Sequence, residues 1–221
     1  MIVVMGLYRE HVLPRIHNRT LDDDRINRIR HRVCAPLHGT VVEVGFGSGL
    51  NVAHYPPAVT LVHAVEPSML ARRLAAPRVE RASVPIEFDG PDGQHLPLPD
   101  RSADCVLLTL TLCSIPDQQA AAHELRRVLV PGGFVTYLEH GASPDPDVAR
   151  RQGRLNGLNR RLSGCRLDTA VPAMFRSAGL HLTDERTYYL QGAPRWAGYL
   201  YEGLARRSGV PARVTAGARS R

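Results

Sequence analysis

Lysine is absent from this sequence, and cysteine and aromatic residues are scarce. All 28 lysine-plus-arginine positions are arginine, a bias typical of GC-rich coding sequences. The formal net charge of +7 would suit nucleic acid if the arginines were clustered on one face. The densest group, between Arg150 and Arg166, has helical spacing and contains no aromatic residue that could stack on a base. A solvated helix face is therefore favoured, and a nucleic-acid partner is not expected.

The sequence also lacks cysteines and histidines at the spacing of a metal site, and it lacks long apolar runs. Cys34, Cys105, Cys113 and Cys165 form no CxxC pair and no zinc-type grouping with histidine, so no metal site is predicted. The apolar start, residues 1–7, is far shorter than the roughly 20 residues that a membrane span needs, and no signal-peptide cleavage pattern follows it. These features predict a cytoplasmic protein with reduced thiols and no membrane span.

Short apolar runs alternate with helical segments through most of the chain. Strands are predicted at residues 41–44, 59–65, 84–88, 105–110, 134–138, 180–189 and 199–201, and helices at 68–76, 118–130 and 169–178. This alternation predicts an α/β fold: a Rossmann-like, doubly wound, mostly parallel seven-stranded sheet with helices on both faces, whose last two strands are antiparallel.

The composition also predicts a division of the chain. Residues 1–39 are expected to form an N-terminal helical cover, and residues 40–206 the α/β domain. Residues 141–168, which are rich in arginine, are expected to be a substrate-recognition insert. Residues 207–221 are small, polar and charged, which predicts a frayed tail.

The strongest local signal is the segment VVEVGFGSGLN at 41–51, a strand that runs into a GxGxG turn. Glycines let the backbone turn tightly and approach a ligand. A dinucleotide fingerprint would have a third glycine where this chain has Leu50. Glu43, inside the strand, would repel a pyrophosphate but suits an ammonium group. Glu66 follows Gly45 by 21 positions, at a strand end where a carboxylate can accept ribose hydroxyls.

Four blocks make the chain similar to class I S-adenosylmethionine-dependent methyltransferases of the ubiquinone and menaquinone C-methyltransferase type: residues 41–51, 64–69, 92–100 with 103–106, and 125–133. The resemblance implies that S-adenosylmethionine is the cofactor and S-adenosylhomocysteine the product. It implies a cofactor site formed by Glu43, Gly45, Phe46, Gly47, Gly49, Asn51, Glu66, Pro67, Met69, Asp92, Gly93, Gln94, Thr109 and Leu110.

Within that superfamily, the sequence resembles the group of mammalian thiol S-methyltransferases and their bacterial relatives. The motifs YPP at 55–57, TLCSI at 111–115, LEH at 138–140 and SGC at 163–165 carry this resemblance. The implied acceptor is a small molecule that bears a thiol, a phenol or a quinone-like ring. Cys113 and His140 follow the fourth and fifth predicted strands, which makes them candidate catalytic residues.

Other functions stay open at this point. One is an NAD-dependent oxidoreductase on the same fold, which Leu50 and Glu43 disfavour. Another is an RNA or protein methyltransferase, although no Asn-Pro-Pro-aromatic motif follows the fourth predicted strand, where the chain reads LTLC. A third is a noncatalytic module that binds the cofactor without turning it over.

Overall fold

A computed structural model describes residues 8 and 10–209. It contains a seven-stranded sheet in the order β3-β2-β1-β4-β5-β7-β6. The strands β1 to β5 are parallel, and β7 is antiparallel to both β5 and β6. The strands are β1 (Gly39–Val44), β2 (Val59–Val65), β3 (Ile86–Phe88), β4 (Ala103–Thr109), β5 (Leu129–His140), β6 (Leu180–Tyr189) and β7 (Tyr199–Arg207). The predicted fold class is confirmed.

The described helices flank this sheet. They are α1 (Leu13–Thr20), α2 (Asp24–Cys34), α3 (Met69–Val79), α4 (Gln118–Val128), α5 (Pro146–Leu162) and α6 (Val171–Ser177). Side chains that accept backbone N–H groups fix where several of them begin: Asp23 caps α2, Ser68 caps α3, Asp117 caps α4 and Asp145 caps α5. Among the described residues, no helix combines the length and the apolar character needed to cross a bilayer.

Successive residues of the central strands are buried against opposite helical layers, as the alternation of a strand requires. Val41 and Leu107 pack with α2, whereas Val42 and Leu108 pack with α4 and α6. Because both faces are covered, the central strands are almost continuously apolar. The carboxyl ends of β1 and β4 meet at the point where the strand order reverses, which is where ligands bind in open α/β sheets.

Several elements differ from the sequence prediction. Strand β5 begins at Leu129, inside the helix predicted for 118–130, and not at residue 134. The N-terminal helical segment is interrupted at Leu21 and continues as α2 behind the capping Asp23. The predicted strand 84–88 begins two residues later, at Ile86. The last strand continues six residues beyond the predicted 199–201, to Arg207. The sequence pattern does not indicate this extension, because the charged residue Glu202 interrupts the apolar run although it is buried as the partner of an arginine.

Arg207, assigned by the sequence to the tail, is thus the end of β7, and its guanidinium donates to the carbonyls of Arg126 and Arg127. The predicted tail otherwise falls largely outside the described residues, as does the apolar start at 1–7. The division into cover, domain and insert stays a prediction.

Candidate functional site

A cavity of about 500 Å³ opens at the carboxyl ends of β1, β2 and β4. This volume falls in the range of small-molecule sites. Helix α1 borders it through Leu13, Pro14 and His17. The helix packs on α3, where Asn18 accepts a hydrogen bond from Arg78 at 3.1 Å. The loop after α5 forms another part of the wall, through Ser163, Gly164 and Cys165. The cavity is therefore bordered by two predicted segments, the N-terminal helical cover and the substrate-recognition insert.

The glycine turn after β1 forms the floor of the cavity. Gly45 and Gly47 have φ angles of +77° and +59°, in the left-handed region that glycine adopts at little cost. A Cβ at Gly45 would lie 2.0 Å from Oγ1 of Thr111, so the turn packs directly on the segment after β4. A Cβ at Gly47 would meet only the Gly45 carbonyl, at 3.8 Å. The backbone at Gly47 is thus open to a ligand.

Glu66, at the end of β2, lines the cavity beside this turn. Its Oε2 accepts the Gly47 N–H at 2.8 Å, and its Oε1 accepts the Ser68 N–H at 2.7 Å. Burial raises the pKa of Glu66, and these two hydrogen bonds oppose the rise. An ionised carboxylate has about four acceptor positions, so both oxygens can still accept ligand hydroxyls. The predicted contact with ribose is compatible with this geometry.

Glu43 lies beneath the cavity rather than on its surface, with 1% of its surface exposed. Its Oε1 accepts from the Asn51 amide at 2.8 Å, and its Oε2 accepts from the Tyr55 hydroxyl. Burial raises the pKa of Glu43 to about 7. An interaction of Glu43 with a ligand ammonium would therefore have to pass through other groups.

One of these groups is Arg30 of α2, which the sequence analysis missed. Arg30 lines the cavity, and its Nη1 donates to Oδ1 of Asn51 at 2.6 Å and to Oγ1 of Thr109 at 3.1 Å. Its buried Nε has no hydrogen-bond partner among the described residues. Burial lowers the pKa of Arg30, while the nearby Glu43 charge opposes that effect. An unpartnered buried donor is costly, and a ligand carboxylate would satisfy it.

A sequence signal for Arg30 did exist. It occupies the same helical face as Ile26 and Val33, at spacings of four and three residues, and both neighbours are buried in the core. A charged residue on the apolar face of an amphipathic helix points to a buried partner or a ligand.

The structure brings together part of the predicted cofactor set. The cavity is lined by Gly45, Phe46, Gly47, Glu66, Pro67, Asp92, Gly93, Thr109 and Leu110, whereas Glu43, Gly49, Asn51, Met69 and Gln94 are not on its surface. Asn51 holds Arg30, and Gln94 donates to Oδ1 of Asp92 at 2.8 Å through its side chain. Met69 is 61% exposed and does not line the cavity.

The two predicted catalytic residues lie behind the cavity wall and meet at a third residue. Cys113 is in the 3-10 turn Leu112–Ser114, His140 ends β5, and Cys165 follows α5. One ligand-type atom from each lies within 4.8 Å of the others. We call these three residues the Cys–His cluster. Only its third member, Cys165, lines the cavity.

The cluster favours ionisation of Cys165. The neighbouring Cys113 thiol lowers the pKa of Cys165 against the effect of burial, and the imidazole of His140 contributes in the same direction. The pKa of Cys113 is raised well above its ordinary value, first by the interaction with Cys165 and then by burial. Burial lowers the pKa of His140, but the hydrogen bond and charge interaction with Cys165 and the nearby charge of Glu139 together outweigh that effect, and the net shift is upward.

Comparison with known proteins gives a consistent result. A methyltransferase domain model matches residues 42–137. The thiol S-methyltransferase TMT1B of Rattus norvegicus is 34% identical over 113 residues, which are 50% of this chain and 46% of that protein. The ubiquinone/menaquinone biosynthesis C-methyltransferase UbiE of Hahella chejuensis is 38% identical over 65 residues, 29% of this chain and 26% of that protein. The chain thus spans less than half the length of these relatives.

A solved structure with the same fold is that of the N-methyltransferase NodS from Bradyrhizobium japonicum, in complex with S-adenosylhomocysteine. The two chains superpose with a TM-score of 0.68 over 91% of this chain and 96% of NodS, at 15% sequence identity. At this identity the likeness shows the fold alone.

Proposed function

We propose that this chain, which belongs to the class I S-adenosylmethionine-dependent methyltransferases, transfers a methyl group from S-adenosylmethionine to the sulfur of a small-molecule thiol. The observation that carries the proposal is the arrangement of one cavity. Its wall includes the glycine turn, Glu66 and Cys165, the member of the Cys–His cluster that lines it. The similarity to thiol S-methyltransferase TMT1B supports the same acceptor class.

The cavity residues fit the cofactor part by part. The open backbone at Gly47 and the unpartnered Nε of Arg30 suit the amino-acid end, whose carboxylate would accept from the guanidinium. Glu66 would accept ribose hydroxyls, and Asp92 with Gly93 would lie along the adenine. When bound, the cofactor supplies a methyl group that is activated by its attachment to a sulfonium.

The chain's own contribution is alignment of the acceptor and stabilisation of its ionised form. A free thiol has a pKa of about 8.5, so modest electrostatic help makes the thiolate available near neutral pH. Helix α1 and the loop after α5 would hold the acceptor, since both border the cavity and neither belongs to the residues assigned to the cofactor. His17 of α1 lines the same region, and burial lowers its pKa, which keeps a neutral imidazole near the acceptor to take its proton.

An assay that compares matched acceptors tests the proposal. The purified chain is incubated with S-adenosylmethionine and either thiophenol or phenol, which differ only in the nucleophilic atom, and methylated products are measured by mass spectrometry. Methylation of thiophenol alone would support a sulfur acceptor. Methylation of phenol or of a quinol alone would show that the acceptor class is wrong. Binding of NADH without binding of S-adenosylhomocysteine, measured by calorimetry, would refute the cofactor assignment.

A further inference from the structure

The Cys–His cluster has the composition of a catalytic zinc site. We infer that Cys113, His140 and Cys165 bind one Zn²⁺ ion and leave a fourth coordination position open toward the cavity, where the sulfur of the acceptor binds. The role of the acceptor rests on the proposed function, whereas binding of the metal does not.

The distances between the ligand atoms support this inference. The two sulfurs and an imidazole nitrogen all lie within 4.8 Å of one another. A tetrahedral zinc ion with Zn–S bonds of about 2.3 Å holds two sulfur ligands about 3.8 Å apart. The cluster therefore needs only a small contraction, which side-chain rotation can supply.

The number and chemistry of the ligands also fit. Two thiolates and one neutral imidazole balance the charge of a dication, and Cys₂His with one open position is a known ligand set of catalytic zinc. Cys165 lines the cavity and the other two ligands lie behind it. Because Cys165 lines the cavity, a ligand in the cavity could supply the fourth ligand of an ion held by all three side chains.

Contacts from three separate segments hold the ligands in place. The Arg166 N–H donates to the Cys113 carbonyl at 2.8 Å, and the Asn159 amide donates to the Cys165 carbonyl at 2.9 Å. The buried carboxylate of Glu139 accepts the N–H of Thr111 at 2.8 Å, which fixes the turn that carries Cys113. The turn that carries Cys113 and the loop that carries Cys165 are thus largely preorganised.

Zinc would supply what the proposed reaction needs. A thiol that coordinates zinc is deprotonated, so the acceptor would release its proton to His17 or to water as its sulfur binds. A lone pair on that sulfur would then form the new S–CH₃ bond. The bond from the methyl carbon to the sulfonium breaks, and its electron pair stays on S-adenosylhomocysteine. The thioether product carries no charge, so it is a weaker ligand than the thiolate and leaves.

This inference revises the expectation, drawn from spacing alone, that the chain has no metal site. The three ligands are 27 and 25 positions apart in the chain, far beyond the short intervals by which zinc motifs are recognised. Only the fold brings them together.

The experiment measures metal content and ligand identity separately from activity. Protein purified under reducing conditions is loaded with Zn²⁺, dialysed and analysed by mass spectrometry for metals. Cys113→Ser and Cys165→Ser are compared with Cys105→Ser, which makes the same change at a buried cysteine outside the cluster. Binding of S-adenosylhomocysteine and thermal unfolding verify that each variant folds. Co²⁺ loading then allows the thiolate-to-cobalt absorption to be recorded before and after addition of thiophenol.

We expect one zinc per chain in the parent and in Cys105→Ser, and at least a tenfold loss of affinity in both cluster variants. We also expect the cobalt spectrum to change with thiophenol but not with phenol. Equal zinc content in the parent and the cluster variants would overturn the inference, as would a reduced parent that takes up no zinc. Zinc binding without methylation of any thiol would leave the metal site standing and refute the proposed function. Full thiol methylation by zinc-free protein would refute the metal's role and leave the function standing.

Discussion

Replacement of Arg30 by methionine tests how the cavity would hold the amino-acid end of its cofactor. Methionine preserves much of the apolar stem of arginine but removes the guanidinium, whose Nε has no hydrogen-bond partner in the described part of the chain. A hydrogen bond to a charged group contributes about 1.5–3 kcal/mol. At 1.4 kcal/mol per factor of ten, Arg30→Met should weaken binding of S-adenosylhomocysteine about tenfold to a hundredfold.

The decisive comparison is with 5′-methylthioadenosine, which has the nucleoside and the sulfur but no carboxylate. Calorimetry should show nearly unchanged affinity of Arg30→Met for this ligand. Arg32→Met is the matched control, because Arg32 lies on the same helix but donates to Glu202, at 2.7 Å from its Nη2. An equal loss for both ligands would mean that Arg30 acts through the fold of the cavity. Unchanged affinity for S-adenosylhomocysteine would refute the assignment altogether.

Three further predictions concern the floor of the cavity. Glu66→Ala should weaken S-adenosylhomocysteine binding by about 1–3 kcal/mol, and unchanged affinity in calorimetry would contradict the ribose contact. Gly45→Ala should lower the free energy of unfolding by at least about 1–2 kcal/mol, because the φ angle at Gly45 is +77° and the new Cβ would meet Thr111. An unchanged urea midpoint of unfolding would contradict this packing. Burial raises the pKa of Glu43 to about 7 from 4.5, so the native state binds more protons than the unfolded chain between these two pH values. The contribution of Glu43 to stability is therefore fully present below pH 4.5 and is lost as pH rises through 7. Glu43→Gln should lack this loss, and parallel pH profiles of unfolding for the two proteins would contradict it.

The sequence predicted the features that depend on neighbouring residues. The glycine turn, the strand before it and the carboxylate after the next strand are each encoded within a few positions, and Gly45, Gly47 and Glu66 meet in one cavity because parallel strands end at one edge. The fold class followed from the alternation of buried runs. The last strand was underestimated because Glu202 interrupts its apolar pattern.

The missing parts of the site come from distant segments. Arg30 reaches the cavity from a helix that precedes the domain core, and Cys165 reaches it from a loop that follows the arginine-rich helix. Local propensity encodes neither approach, since both result from packing. Cys113 and His140 were predicted as catalytic candidates because each follows a predicted strand. Their contact with Cys165 required the fold, and so did the burial of Glu43 beneath the cavity rather than on its surface.

The central claim is methyl transfer to sulfur, and one measurement tests it most directly. The chain is incubated with S-adenosylmethionine that carries an isotopically labelled methyl group, in the presence of thiophenol and phenol together, and both products are quantified with the S-adenosylhomocysteine released. The account predicts labelled methyl phenyl sulfide in a one-to-one ratio with S-adenosylhomocysteine and no labelled anisole. Label in anisole, or release of S-adenosylhomocysteine without the sulfide, would contradict it.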